Sequence, residues 1–189
     1  HTAWEKLFSA YRAQYPDLAV QIDQMQQRDL PAGWDGALPI FAADEKGIAT
    51  RASSGQVLNA IAARMPWPLG GSADLSPSTK TNLKFEFAGS FQPPTHEHNA
   101  SYRGRNFHFG LREHAMCAIG NGMSLSKVRP YVSSFLIFTD YCRAALRLSA
   151  MMEIPLISIW THDSISLGED GPTHQPIEQL ASLRAMPGM

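Results

Sequence analysis

The spacing of apolar residues divides the chain into elements before any single residue is weighed. Trp4, Leu7, Phe8 and Tyr11 recur at helical intervals until Tyr15-Pro16 interrupts them, and Thr2-Ala3-Trp4-Glu5 has the form of a capping box opening that helix. Asp17 is placed to cap a second helix running through Arg28. From Leu30 to Gly47 prolines and glycines break every period, so residues 1–46 read as a helical linker and the main domain, residues 47–189, begins near Gly47. Val57, Leu58 and Ile61 then predict a helix up to about Arg64, and Pro68 to Asp74 a short strand ending in a turn. Lys80 to Arg105 has few apolar repeats and reads as one long loop, functional or mobile, with His96 and His98 solvated.

Alternation of element types becomes regular after that loop. Phe107 to Gly110 is expected as a short strand, and Leu111, Ala115, Ile119 and Met123 set an apolar face on a helix from about Arg112 to Leu125. Arg129 to Phe135 follows as a strand, then a helix carrying Phe138, Tyr141, Ala145 and Leu148. The apolar run Ile154 to Trp160 is short, β-rich and bounded by a polar loop, which predicts a strand buried on both faces. Pro176 can open a last helix through Leu183. Strand, helix, strand, helix, strand, helix in this order argues an α/β fold on a parallel sheet with right-handed crossovers.

Composition narrows the function classes. With 189 residues, 44% hydrophobic and 17% charged, the chain has the composition of an ordinary globular protein with material for one core. Its net charge of -1 supplies no field to hold nucleic acid or an anionic membrane, so any phosphate must be met by a few placed groups. Cys117 and Cys142 lie in apolar or helical segments and read as free buried thiols of a reducing compartment, by default the cytoplasm. No apolar run approaches the roughly 20 residues that span a bilayer, and no signal peptide is seen. The chain opens at His1 and closes at Met189, and both ends are expected to be cut.

Candidate chemistry concentrates in Thr161 to Pro176, THDSISLGEDGPTHQP, which leaves the carboxyl end of the last strand, where ligands collect in open α/β sheets. His162 and His174, with Asp163, Glu169 and Asp170, can hydrogen-bond a polyhydroxylated or phosphorylated substrate and move protons near neutral pH. The same residues also serve as turn formers, caps or solvated charges. A zinc site is a further alternative, although the spacing fits no compact zinc pattern. Arg51, at the approach to a helix N-terminus, can hold a phosphate or stand exposed, and Ser78 offers a hydroxyl to the same pocket if the sheet is parallel. Glu113 is either an N-terminal helix acid or a carboxyl enclosed by Phe109 and Met116, whose raised pKa would suit proton exchange with a bound base. Phe135, Phe138 and Tyr141 are either core aromatics or a flat pocket for a heteroaromatic ring.

GGSADLSPS, FHFGLREHAM, SSFLIFTDY and THDSISLGEDGPTHQP, in this order, resemble the pyrimidine-binding domain of transketolase, a thiamine-diphosphate enzyme. The opening AWEKLFSAYRAQYP resembles the segment joining that family's first domain to its second. The resemblance implies a doubly wound α/β fold, with a mostly parallel sheet and helices on both faces, preceded by a helical linker. It implies that Glu113 hydrogen-bonds the cofactor's aminopyrimidine and promotes formation of the thiamine ylide. Phe138 would stack on the pyrimidine, Phe135 and Tyr141 would complete the pocket, and Asp74 would join the cofactor-binding set. Arg51, Ser78, His162, Asp170 and His174 would bind the sugar-phosphate substrate. The reaction implied is transfer of a two-carbon ketol unit from a ketose phosphate such as xylulose 5-phosphate to an aldose phosphate (ribose 5-phosphate or erythrose 4-phosphate), in the pentose phosphate pathway or the Calvin cycle.

Departures from the family pattern qualify this. The Gly-Asp-Gly to Asn motif that holds the diphosphate and its divalent metal, usually magnesium, is absent, and Glu169-Asp170-Gly171 is not that motif. A C-terminal domain and a further phosphate-binding arginine are also missing. The chain is therefore expected to be a fragment of a longer enzyme or a subunit of a split one, inactive alone. Its expected partners are a diphosphate-binding domain and a second subunit, in a homodimer. Dihydroxyacetone synthase, a non-catalytic domain of the same fold and, more distantly, a metal hydrolase remain alternatives.

Overall fold

Alternation along one central strand explains the layering of the molecule. In the strand Arg129–Phe135, Tyr131 and Val132 point to opposite faces, and each sits in a separate apolar cluster. The computed structural model describes residues 1–95 and 99–189, so His96 and His98, expected as solvated, lie outside the described residues. In chain order the elements are α1 (Thr2–Gln14), α2 (Pro16–Gln27), α3 (Thr50–Arg64), β1 (Pro68–Ser72), α4 (Ser76–Thr79), β2 (Ser90–Phe91), β3 (Ala100–Ser101) and β4 (Asn106–His108). They continue with α5 (Glu113–Leu125), β5 (Arg129–Phe135), α6 (Arg143–Met151), β6 (Ile157–Thr161) and α7 (Gln179–Arg184); tighter 3-10 turns occupy Leu136–Tyr141 and Pro172–His174.

The strands form one sheet in the order β3-β2-β4-β1-β5-β6, and every pairing is parallel. Leu58 and Ala62 of α3 pack with Tyr131 on one face. Met116 and Cys117 of α5, Leu146 of α6 and Leu183 of α7 gather around Val132 on the other. This is the expected α/β fold, helices on both faces of a parallel sheet. No helix among the described residues is long and apolar enough to cross a membrane.

Strand β1 lies between β4 and β5 and carries Gly70 and Gly71 where the neighbours come closest. A Cβ on Gly70 would fall on the carbonyl of Tyr131, and one on Gly71 on the carbonyl of Phe107. Polar groups buried beside this strand pair with one another. Ser72 Oγ donates to the Ser133 carbonyl at 2.8 Å, the Thr81 and Ser133 hydroxyls meet at 2.7 Å, and Thr79 joins Thr81 at 2.8 Å. Such bonds offset the cost of taking hydroxyls out of water, and they tie the stretch containing α4 to β5. Arg105 closes the opposite end, donating to the carbonyls of Ala62, Met65 and Pro68 and so capping α3 at its C-terminus.

Several sequence expectations are corrected by this architecture. His1, not Thr2, precedes α1, and no side-chain cap bond forms, so the Thr2–Glu5 capping box is absent. Tyr15 precedes α2 and Asp17 lies within its first turn, since Pro16 already provides the first helical position. The predicted long loop contains β2 and β3, whose two-residue length leaves no periodic signature. The helix expected to carry Phe138 to Leu148 is split into the 3-10 turn and α6 at Cys142.

Two burial expectations fail for instructive reasons. Helix α5 buries Met116, Cys117, Gly120, Asn121 and Ser124, while Leu111 and Ile119 remain exposed. Close approach decides which side packs: a Cβ on Gly120 would sit 2.8 Å from Leu156 Cδ1 and 3.1 Å from Val132 Cγ1. Apart from Met116 and Cys117, small and polar residues therefore face the sheet, while Leu111 and Ile119 face outward. Strand β6, expected to be buried on both faces, is an edge strand, and Ile157 is 48% exposed.

Replacing Gly71 with alanine must displace the β4 backbone. Gly71→Ala is expected to lower stability by about 3 kcal/mol or more, measured by denaturant unfolding of the complete protein, whereas Gly122→Ala, with open space around it, is expected to be near neutral.

Candidate active site

Parallel strands deliver their outgoing loops to one rim. Strand β1 leads to Asp74, β4 to Phe109 and Glu113, β5 to Phe135, and β6 to His162. Helix α3 runs back along the sheet, which brings its first turn, with Arg51, to the same rim. Asp74 turns the chain in the left-handed region, φ 63°, and is exposed.

The late loop folds onto the carboxyl end of β5. His162 stacks on Phe135 with ring centres 3.6 Å apart, and His174 stands edge-on to Phe138 at 5.3 Å. Phe135 and Phe138 are themselves stacked at 5.7 Å, and Tyr141, 5.9 Å beyond Phe138, is largely exposed. Two further contacts hold the loop: Gln175 Nε2 donates to the Ser164 carbonyl at 3.2 Å, and the buried Gln179 donates to Asp140 Oδ2 at 3.0 Å. Gln179 and Asp140 were not candidates on the sequence, because a glutamine at a helix start and an acid in a turn carry no distinctive pattern.

Charges and lone pairs determine the state of His162. Its Nε2 lies 3.0 Å from Arg51 Nη1. A guanidinium only donates, so Nε2 accepts and the ring is neutral, with its proton on Nδ1. That proton is directed to Thr161 Oγ1 at 2.9 Å. Burial lowers the pKa of His162, and Arg51 and His174 lower it further against the opposing pull of Asp170 and Asp163. Asp170 Oδ2 is 3.9 Å from Nε2, beyond hydrogen-bond range. A cleft of about 390 Å³ opens here between Arg51, Ser54, Trp160, His162 and Asp163. His174 repeats part of the arrangement, its Nδ1 2.8 Å from Thr173 Oγ1. Each histidine thus follows a threonine whose hydroxyl holds Nδ1, a Thr-His repeat visible in the sequence but not used there.

Glu113 is the first residue of α5 and only 8% exposed. No hydrogen bond or ion pair joins its side chain to another described residue, and its carboxyl oxygens are not among the fully buried side-chain atoms left without a partner. Phe109, Met116, Cys117 and Cys142 form the apolar cluster beneath it. The Cys142 thiol is pushed up by hydrogen bonding with Cys117, then by burial and by the nearby charge of Glu113. A carboxyl on a nearly buried side chain, on a rim that also carries partly exposed aromatic rings, fits a heteroaromatic ligand with N–H donors. Ser78 stands apart: it lies on α4, does not line the Arg51–His162 cleft and makes no side-chain hydrogen bond to it. Among the described residues, no three His, Cys, Asp or Glu side chains come together in a way that could hold a metal ion.

Comparison with known proteins gives this arrangement its context. Residues 46–189 match the family model described as transketolase, pyrimidine binding domain. The chain is 48% identical over 188 residues to a transketolase of Halalkalibacterium halodurans and 49% identical over 191 residues to one of Mycobacterium bovis, covering 99% of this chain and 27% of each relative. A Pichia stipitis transketolase solved in complex with sedoheptulose-7-phosphate superposes with a TM-score of 0.89 at 44% identity, covering 98% of this chain and 27% of that one. The chain thus spans about a quarter of the length of these relatives.

Both thiols beneath Glu113 are fully buried. In the folded complete protein, Cys117 and Cys142 are expected to resist iodoacetamide at mildly alkaline pH and to react fully after denaturation, as read by mass spectrometry. A rapid native-state adduct on either would show that this packing is open.

Proposed function

The chain belongs to the transketolase family through its pyrimidine-binding domain, and from that premise we propose that it supplies the pyrimidine-side half of a thiamine-diphosphate active site. The complete protein then transfers a two-carbon ketol unit from a ketose phosphate such as xylulose 5-phosphate to an aldose phosphate such as ribose 5-phosphate or erythrose 4-phosphate. The observation that carries this reading is the nearly buried side chain of Glu113, at the start of α5 on the rim that also bears the Phe135, Phe138, His162 and His174 cluster. The sugar phosphate bound by the Pichia stipitis relative supports the substrate class.

Family membership implies thiamine diphosphate, and when bound this cofactor supplies the carbanion chemistry itself. The chain's own residues bind, orient and move protons. Glu113 is the acid that hydrogen-bonds the aminopyrimidine, and the burial of most of its side chain limits competition from water. Phe135 already carries His162 on its face, so Phe138 is assigned to stack on the pyrimidine ring, with Tyr141 and Asp74 completing the cofactor side. Arg51 and His162 line one cleft and take the phosphate end of the substrate, His174 and Asp170 beside His162 meet its hydroxyls, and Ser78, on α4 outside that cleft, is assigned to the substrate by the family resemblance alone.

Residues 1–46 serve in this reading as the connection to a preceding domain, which holds the diphosphate and a divalent cation such as Mg²⁺. A homodimer would complete each site from two subunits in the cytoplasm. In the complete enzyme, Glu113→Ala is expected to lower kcat by roughly 10²- to 10⁴-fold, with KM for the sugar phosphates changed by no more than about threefold. Steady-state kinetics at saturating cofactor checks this. A near-normal kcat would remove Glu113 from the chemistry.

A further inference from the structure

His162 stands between two groups that ask for opposite protonation states. Arg51 Nη1, 3.0 Å from Nε2, requires a lone pair there, whereas Asp170 Oδ2, 3.9 Å from the same nitrogen, favours a proton on it. With Arg51 in place the imidazole is neutral, and Thr161 fixes the tautomer by accepting from Nδ1. Arg51 is exposed on the first turn of α3 and borders the adjoining cleft, so it can swing from His162 to an incoming anion. The side chain of His162 is 8% exposed and cannot leave Phe135 as easily.

We propose that capture of a phosphate group by Arg51 is coupled to uptake of a proton by His162. The inference rests on the assignment of Arg51 to phosphate binding made above. An anion that engages the guanidinium removes the donor from Nε2 and neutralises the charge that opposed a second one. Nε2, with Asp170 beside it, then accepts one proton from solvent, and the imidazolium adds a donor toward the anion. No covalent bond other than that N–H changes; an arginine–histidine hydrogen bond is exchanged for an arginine–phosphate one. Thr161 is a positioning residue, since the same Nδ1–H bond persists in both states.

Charged and titratable groups around His162 are Arg51 from α3, Asp163 and Asp170 from its own loop, and His174 from the 3-10 turn. In the free protein, burial and Arg51 hold His162 below the ordinary imidazole value, so it is neutral at neutral pH. A bound anion acts in the opposite direction and raises the value. Affinity for the anion therefore strengthens as pH falls through the bound-state pKa and levels off below the free-state one. Proton uptake is greatest between the two.

Calorimetric titration of the complete protein with inorganic sulfate, in buffers of different ionisation enthalpy, counts the protons. Sulfate stays a dianion throughout, so any uptake belongs to the protein. Between about pH 6 and 7.5, binding is expected to take up a proton fraction approaching ~1 per site, with affinity rising as pH falls. H162Q is expected to abolish the uptake while keeping binding that depends on Arg51. D170N, altered in an exposed part of the loop, is expected to shift the uptake to lower pH without risk to folding. Arg51-dependent binding with no uptake, or uptake that survives in H162Q, overturns the coupling and leaves the phosphate assignment standing. Sulfate that does not bind, or that binds equally to R51Q, overturns both.

Discussion

Everything at the functional rim depends on how closely β1 is squeezed between β4 and β5. Gly70 and Gly71 leave no room for a side chain against the neighbouring carbonyls, and this proximity sets the register of three adjacent strands. Once that register is set, the exits of β1, β4 and β5 are levelled on one side. Pairing of Phe135 with Thr161 aligns the exit of β6 with them, so Glu113, Phe135 and His162 arrive together although far apart in the chain. A parallel sheet converts order along the chain into proximity in space, which is why four separate loops can share one ligand.

Around that rim the molecule keeps groups in states that a purely structural design would avoid. Glu113 is an acid on a nearly buried side chain, His162 holds a left-handed backbone at φ 55°, and two histidines lie against phenyl rings. The left-handed backbone costs stability, of order 1–3 kcal/mol, which the aromatic contacts of the two histidines partly offset. The hydroxyl network of Ser72, Thr79, Thr81 and Ser133, by contrast, is internally satisfied a few residues away. A carboxyl, two histidines and an arginine gathered at one rim mark where the protein expects another molecule.

Much of the framework was legible from spacing alone. Arg129–Phe135, the helix ending at Arg64 and the break at Tyr15-Pro16 follow from periodicity and proline, and their parallel order follows from alternation. Side-chain direction was less legible. The apolar stripe Leu111, Ala115, Ile119 faces out because Gly120 and Cys117, weak hydrophobic signals, permit the closer approach to β5. At the site, the Thr161–Pro176 segment and Glu113 stood out by residue type, and the family resemblance implied roles for them. The Arg51–His162 hydrogen bond spans 111 residues and has no local signature at all. Sequence reasoning could nominate both ends of that bond, but only coordinates could join them.

Strand β6 closes the sheet with one side of its backbone unpaired by any other described strand. Its amides and carbonyls form a ready template, and the partly exposed Ile157, Ile159 and Trp160 provide little charge to repel a second strand. Produced as an isolated segment, such a chain would be prone to stick laterally to its own copies, so handling it calls for shielding that margin with a paired strand or a lysine placed on it.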